Sequence, residues 1–166
     1  MPAIKLTESE ENTRSFLLNL PIFDSFNVDE LTILSKHMSY VHLQRGEHLF
    51  LEGDKGTFMG FVVQGLLEVV KKSDNGQNVV IARLTKGNSI GEMALIDKSP
   101  RSATVIAKQP TIMVTLSDKG FDLLTEKSPI LGVKVIQKIA RLLSLYMRRT
   151  SSRLADLMQD NGHDNL

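Results

Sequence analysis

Between Asn88 and Ala107 the chain places a glycine–glutamate pair, Gly91-Glu92, ahead of a short apolar run, with an arginine, Arg101, nine residues after the glutamate. These residue types suit one sort of ligand. Gly91 lets the backbone come close to a bound group, and Glu92 to Ile96 is long enough for one helical turn whose free amides point at an anion. Arg101 can fork onto the same anion from the start of a following strand. A carboxylate beside an anion site makes sense if the ligand also carries a hydroxyl, because Glu92 can accept its hydrogen bond while Arg101 balances the charge. A phosphate joined to a ribose meets that description.

The elements that must hold this segment read as short strands. Between Gly46 and Gly91 lie eight of the eleven glycines, interleaved with the apolar runs Tyr40 to Leu43, His48 to Leu51, Phe58 to Val63, Leu66 to Val70 and Val79 to Leu84. Two more runs, Ala103 to Ala107 and Thr111 to Leu116, follow the segment and are separated by Pro110. Runs of four to six residues punctuated by turn residues predict an antiparallel all-β unit. Asp74-Asn75-Gly76 supplies a hairpin tip with residues tolerant of positive φ.

Helical patterns flank that unit. Phe16, Leu17, Leu18 and Leu20 before Pro21 predict a short helix from Thr13 and a turn. Asn27 with Glu30 three residues on is an N-cap signature, and Leu31, Ile33, Leu34 and Met38 continue it toward Ser39. A short helix is expected over Asp118 to Glu126, and Ser128-Pro129 opens a long one. In the long helix, Val133, Ile136, Ala140, Leu143, Met147, Thr150, Leu154 and Leu157 form one stripe at spacings of 3 and 4. Val135, Ile139, Leu142 and Tyr146 form a second. One face can then cover the β unit while the other meets a partner helix; a single helix with one broad core-facing side is the alternative.

The resulting fold class is mainly β with flanking helices: an antiparallel, jelly-roll-like β-roll over 21–128 after an N-terminal helical extension over 1–20. A long closing helix over 129–158 and a flexible tail over 159–166 complete it. At 166 residues the chain suits one domain of this kind, and its 42% hydrophobic and 23% charged content suffices for a core. Twenty basic against nineteen acidic residues leave a net charge of +1, too balanced for bulk-charge attraction to nucleic acid or anionic membranes. The absence of cysteine removes disulfides and thiolate chemistry and suits a reducing cytoplasm. Residues 1–11 carry three glutamates and no apolar run, unlike a secretory signal, and no apolar stretch is long enough to span a bilayer.

Gly91-Glu92-Met93-Ala94-Leu95, followed by Pro100-Arg101-Ser102-Ala103-Thr104-Val105, resembles the phosphate-binding cassette of cyclic nucleotide-binding domains. Such domains occur in catabolite activator proteins, regulatory subunits of cyclic-AMP-dependent kinases and nucleotide-gated channels. The resemblance covers about Pro21 to Leu145, including the glycines at 46, 53 and 65 and the closing helix. It implies that Glu92 binds the ribose 2′-hydroxyl and Arg101 an exocyclic phosphate oxygen. It also implies that Ala94, Ser102 and Ala103 add donors to the phosphate, with Ile81, Ile90, Met93 and Leu95 as apolar neighbours. For the base it points to Leu142, Tyr146, Met147 and Arg149, although catabolite activators carry small hydroxyl residues near Tyr146 and Met147, so base contacts differ here. Ser102 after the arginine resembles the catabolite activators and favours cyclic AMP, with cyclic GMP as the alternative.

The same resemblance implies a stand-alone sensor: phosphate and ribose settle on the cassette, its turn moves inward, and the closing helix repositions over the base. Output would pass through a homodimer or an effector protein. The alternative is a protein-interaction scaffold whose β-roll binds cyclic GMP, another ligand or none.

The remaining signals point away from catalysis. His37, His42, His48 and His163 form no His-x-His pair, so a cupin-type metal site is not expected. A nucleophile elbow and a phosphate-binding P-loop are both missing, so no enzymatic activity and no cofactor are expected. Arg141, Arg148, Arg149 and Arg153 make the last helix basic, a pattern that more often complements the helix dipole than binds nucleic acid. No helix-turn-helix follows in this sequence, so direct DNA binding is not expected.

Overall fold

The computed structural model describes residues 6–163, with side chains through 159. Two helices lead in: α1 (Glu8–Leu18) and, after a 3-10 turn at Pro21–Phe23, α2 (Val28–Ser35). Eight strands follow: β1 (Met38–Leu43), β2 (His48–Phe50), β3 (Phe58–Gln64), β4 (Leu67–Lys72), β5 (Asn78–Leu84), β6 (Ser89–Ile90), β7 (Thr104–Ala107) and β8 (Thr111–Ser117). A one-and-a-half-turn helix, α3 (Glu92–Asp97), sits between β6 and β7, and α4 (Asp118–Lys127) and α5 (Pro129–His163) close the chain. No described helix is long and apolar enough to cross a membrane.

The strands form two antiparallel four-stranded sheets, ordered β1-β8-β3-β6 and β2-β7-β4-β5. Strand alternation divides the first sheet between two cores. Val62 and Met113 point to the second sheet and join Leu67, Val69, Val105 and Ala107. Met59, Phe61, Val114 and Leu116 point the other way, to a helical layer of Leu17, Leu31, Leu34, Leu124, Leu131, Val135 and Ile139. Fully buried leucines such as Leu17, Leu31 and Leu34 contribute about 1.5–3 kcal/mol each, so the leading helices are integral to the domain rather than appended to it.

Local chemistry sets most boundaries. Asn27 caps α2 through Glu30, with both reciprocal hydrogen bonds at 2.9 Å, as the sequence predicts. The same device starts α1 earlier than the expected Thr13: Thr7 and Glu10 form a capping box, a Thr-x-x-Glu signature. The second helix stops at Ser35, short of Ser39, because Met38 onward pairs with β8 as strand. Gly76, at φ 79°, turns the β4–β5 hairpin where Asp74-Asn75-Gly76 predicts it.

The long helix runs to His163, beyond its expected end at residue 158, with no proline after Pro129 to stop it. Residues 164–166 of the expected tail, and 1–5 of the expected N-terminal extension, lie outside the described residues. Of its two stripes, Val135, Ile139, Leu142 and Tyr146 face the domain, with Val135 and Ile139 fully packed. The other stripe points outward at Val133, Ile136, Met147, Leu154 and Leu157, while Leu143 on it packs on the helical-side core.

Candidate functional site

The site is assembled where β6 runs into α3 and where the chain enters β7. Gly91 takes φ 87°, a left-handed conformation that turns the backbone from strand to helix, and the space above it is filled by the Arg101 guanidinium. A Cβ there would lie 2.6 Å from Arg101 Nη1 and 2.8 Å from the Phe58 carbonyl oxygen. No side chain caps α3 at its start. On its other side, Gly56 lets α3 approach the β2–β3 loop, since a Cβ at Gly56 would come within 2.1 Å of Ala94 Cβ.

Arg101 is held at both its backbone and its side chain. Its amide donates to Asp54 O and its carbonyl accepts from Gly53 N, both at 2.8 Å, so the β2–β3 loop grips the residue from both sides. Nη2 donates to Phe58 O at 2.7 Å and Nη1 donates to Gly91 O at 3.4 Å. The guanidinium carbon lies 4.0 Å from the centroid of the Phe50 ring and 4.6 Å from that of Phe58, a cation–π packing between two aromatic faces. Only 5% of Arg101 is exposed, and its Nε has no partner.

Glu92, 4% exposed, has an equally unusual setting. Its Oε1 has no hydrogen-bond partner. Arg101 does not form an ion pair with it, so the pair is not a structural salt bridge; the arginine acts on Glu92 through its field. Burial pushes the carboxyl's pKa up, against the lowering effects of Ser89, the local backbone and Arg101. Burial likewise lowers the pKa of Arg101, with Glu92 and Asp54 opposing. A buried carboxyl with an idle oxygen beside a buried guanidinium with an idle N–H can take a ligand that offers a hydroxyl to one and an anionic oxygen to the other.

That setting has a consequence for stability. With its folded pKa raised above the unfolded value, Glu92 has no adverse effect on folding below the unfolded pKa, and it destabilises progressively as pH rises through the folded pKa. Glu92→Gln should therefore raise the thermal midpoint of the ligand-free protein at neutral pH, by on the order of 1 kcal/mol or a few degrees. Near pH 4 the gain should shrink toward zero. Paired thermal melts at the two pH values check this, and an equal or negative effect at neutral pH would refute it.

The sequence-derived site residues fall into groups. Gly91, Glu92, Ala94 and Arg101 lie together, all but Gly91 being buried, whereas Ala103 is buried in the inter-sheet core. Ser102 is exposed, and its carbonyl accepts from Lys71 Nζ at 2.6 Å, which steadies the loop beside Arg101. Met93 projects to solvent, whereas Leu95 belongs to the helical-side core. Ile90 packs on the inter-sheet core, and Ile81 lies half-exposed on the edge strand β5. On α5, Leu142 packs on the helical-side core, and Met147 is exposed. Tyr146 places its hydroxyl 2.6 Å from Ser89 Oγ, and burial raises the pKa of its phenol, with Ser89 and the charge of exposed Arg149 opposing.

Phe50, Phe58, Gly56 and Ser89 are the members that sequence reasoning did not single out. Phe50 and Phe58 read locally as ordinary strand residues, and only the pairing of the two sheets brings them to Arg101. Among the described residues, no cluster of His, Asp and Glu is arranged to hold a metal ion.

Comparisons with known proteins bear on this arrangement. The family model of the cyclic nucleotide-binding domain matches residues 40–128. A cAMP-dependent protein kinase regulatory subunit of Mycosarcoma maydis is 32% identical over 123 residues, covering 71% of this chain and 23% of that protein. The cyclic AMP receptor protein of Thermus thermophilus is 25% identical over 123 residues, 74% of this chain and 57% of that protein. This chain thus spans a quarter to somewhat over half the length of these relatives. A crystal structure of a cyclic nucleotide-binding domain from Methylobacillus flagellatus KT superposes with a TM-score of 0.79 at 30% identity, covering 89% of this chain and 83% of that one.

Proposed function

We propose that this chain, which belongs to the cyclic nucleotide-binding domain family, is a sensor that takes cyclic AMP at the cassette of Gly91, Glu92 and Arg101 and relays its presence through α5. The observation that carries this reading is the pair of buried, unpartnered polar atoms, Glu92 Oε1 and Arg101 Nε, beside the uncapped start of α3. The ribose 2′-hydroxyl donates to Glu92. Arg101 keeps its Nε–H and one hydrogen on each Nη for the phosphate, since its remaining donors hold Phe58 O and Gly91 O. Ala94, Ser102 and Ala103 supply further donors, while Ile81, Ile90, Met93 and Leu95 form the apolar surroundings. Leu142, Tyr146, Met147 and Arg149 are the α5 residues offered to the base, Arg149 over its face. Ser102 after the arginine favours cyclic AMP over cyclic GMP.

Thermal melts test ligand choice. A hundredfold excess of cyclic AMP over its Kd should stabilise the protein by about 2.7 kcal/mol, a shift of several degrees, with cyclic GMP giving less at equal concentration. Equal shifts with both nucleotides would overturn the preference, and no shift with either would count against the site.

We also infer that α5 pairs with α5 of a second copy. The outward stripe keeps a 3–4 spacing from Val133 to Leu157, the repeat of a two-helix seam, and Met147, Leu154 and Leu157 on it are each more than half exposed. A nucleotide can shift such an assembly only by its differential affinity for two placements of the helix, so the ligand must contact α5 differently in each. The double variant Leu154→Lys with Leu157→Lys should sediment as a monomer at micromolar concentration where the parent sediments as a dimer, while still binding nucleotide. A monomeric parent would refute the pairing.

A further inference from the structure

We propose that Lys71 is a further ligand-binding residue, a second cation for the phosphate, with Glu52 as the carboxylate that the phosphate displaces from it; the proposal rests on the reading of Arg101 given above. In the second sheet β7 lies between β2 and β4. Leu67 and Val69 on β4 point into the inter-sheet core, and strand alternation puts Lys71 on that same face. The β4–β7 ladder ends with Val70 opposite Thr104, so Lys71 stands one step beyond it, opposite Ala103, which belongs to the same core. From the β2 side, Phe50 packs on this core with the Arg101 guanidinium carbon 4.0 Å from its ring centroid, and Glu52 is two residues on. Lys71 and the Arg101 guanidinium therefore lie at one rim of the inter-sheet core.

Lys71 Nζ donates to Glu52 Oε1 and to Ser102 O, both at 2.6 Å. Ala103 carries only a methyl group, so the two long side chains can meet across the start of β7. Two hydrogens of the ammonium are thereby used, and one is left. With the two side chains 47% and 34% exposed, solvent weakens the ion pair, and an anion can compete with Glu52 for the lysine. Ser102 directly follows Arg101, so an anion on Arg101 and the amides after it is well inside the screening length of about 8 Å from this ammonium. Such an anion is attracted by Lys71 and repelled by Glu52. Glu52 thus opposes binding twice, by its own charge and by occupying the lysine.

A pair that merely straps residue 102 to the neighbouring strands responds alike from either end: losing the lysine or losing the glutamate loosens the loop and weakens binding. A ligand-binding Lys71 gives effects of opposite sign. The test is calorimetric titration with cyclic AMP of the parent protein, Lys71→Met and Glu52→Gln, each checked for an unchanged fold by circular dichroism. Methionine keeps an unbranched side chain without the charge, and glutamine keeps the shape of the carboxylate. The expected result is that Lys71→Met binds about threefold to tenfold more weakly than the parent and Glu52→Gln about twofold or more tightly. Weaker binding in both variants reduces the pair to a strap and overturns the ligand role. A Lys71→Met protein that binds as tightly as the parent, or a Glu52→Gln protein that binds no more tightly, overturns it too. In each of these cases the parent still binds, and the reading of Arg101 stands. A parent that binds no cyclic AMP would bring down both together.

Discussion

Arg101→Ala is expected to bind cyclic AMP at least about 30-fold more weakly than the parent, a loss of about 2–5 kcal/mol. The size follows from the burial of the guanidinium: at 5% exposure, with two aromatic faces against it, its charge is poorly screened from a phosphate placed there. The same substitution strips hydrogen bonds from Phe58 O and Gly91 O and empties the space between Phe50 and Phe58. It should therefore also destabilise the ligand-free fold, by about 1–3 kcal/mol. The two effects are separated by titrating the variant well below its melting temperature. Arg101→Lys should recover little, because an ammonium cannot hold the two carbonyls and fork onto a phosphate at once. A loss of less than threefold in a folded Arg101→Ala protein would contradict the role given to Arg101.

The second large effect is expected at Gly91. An alanine there must adopt φ near 87°, at about 1–2 kcal/mol of backbone strain, and its Cβ would collide with Arg101 Nη1 and Phe58 O. Phe58 O belongs to a paired strand and cannot retreat, so the guanidinium must move. Gly91→Ala should thus lower stability by about 2–4 kcal/mol, strain and overpacking together, and weaken nucleotide binding by tenfold or more. Gly76→Ala is the control: its φ is also positive, at 79°, but nothing lies within 4 Å of its added Cβ. It should cost only the strain and leave binding unchanged. Chemical denaturation and titration of both variants decide this; equal binding losses would show that Gly91 matters only as a turn.

The cassette was legible because its chemistry is local. Gly91, Glu92 and Arg101 lie within eleven residues, and the strand runs around them are short, apolar and separated by turn residues, so both the site and its all-β setting can be read from spacing. The surroundings of Arg101 were not legible, because Phe50 and Phe58 reach it through pairings between distant segments: β2 with β7, and β3 with β6 and β8. The two stripes of α5 were recognisable from their 3–4 spacing, but their spacing alone does not say which one meets the domain. Packing decides it, with Val135 and Ile139 inward and Leu154 and Leu157 outward. Ser89 is illegible in the sequence for a similar reason: a serine in a two-residue strand has no pattern of its own, and only the fold brings Tyr146 to it.

One measurement bears most directly on the cassette as a receptor for a cyclic phosphodiester: isothermal titration of the unmutated protein with cyclic AMP, with cyclic GMP alongside. The expected result is saturable binding of one nucleotide per chain, tighter for cyclic AMP. A folded protein that takes up neither nucleotide would contradict it.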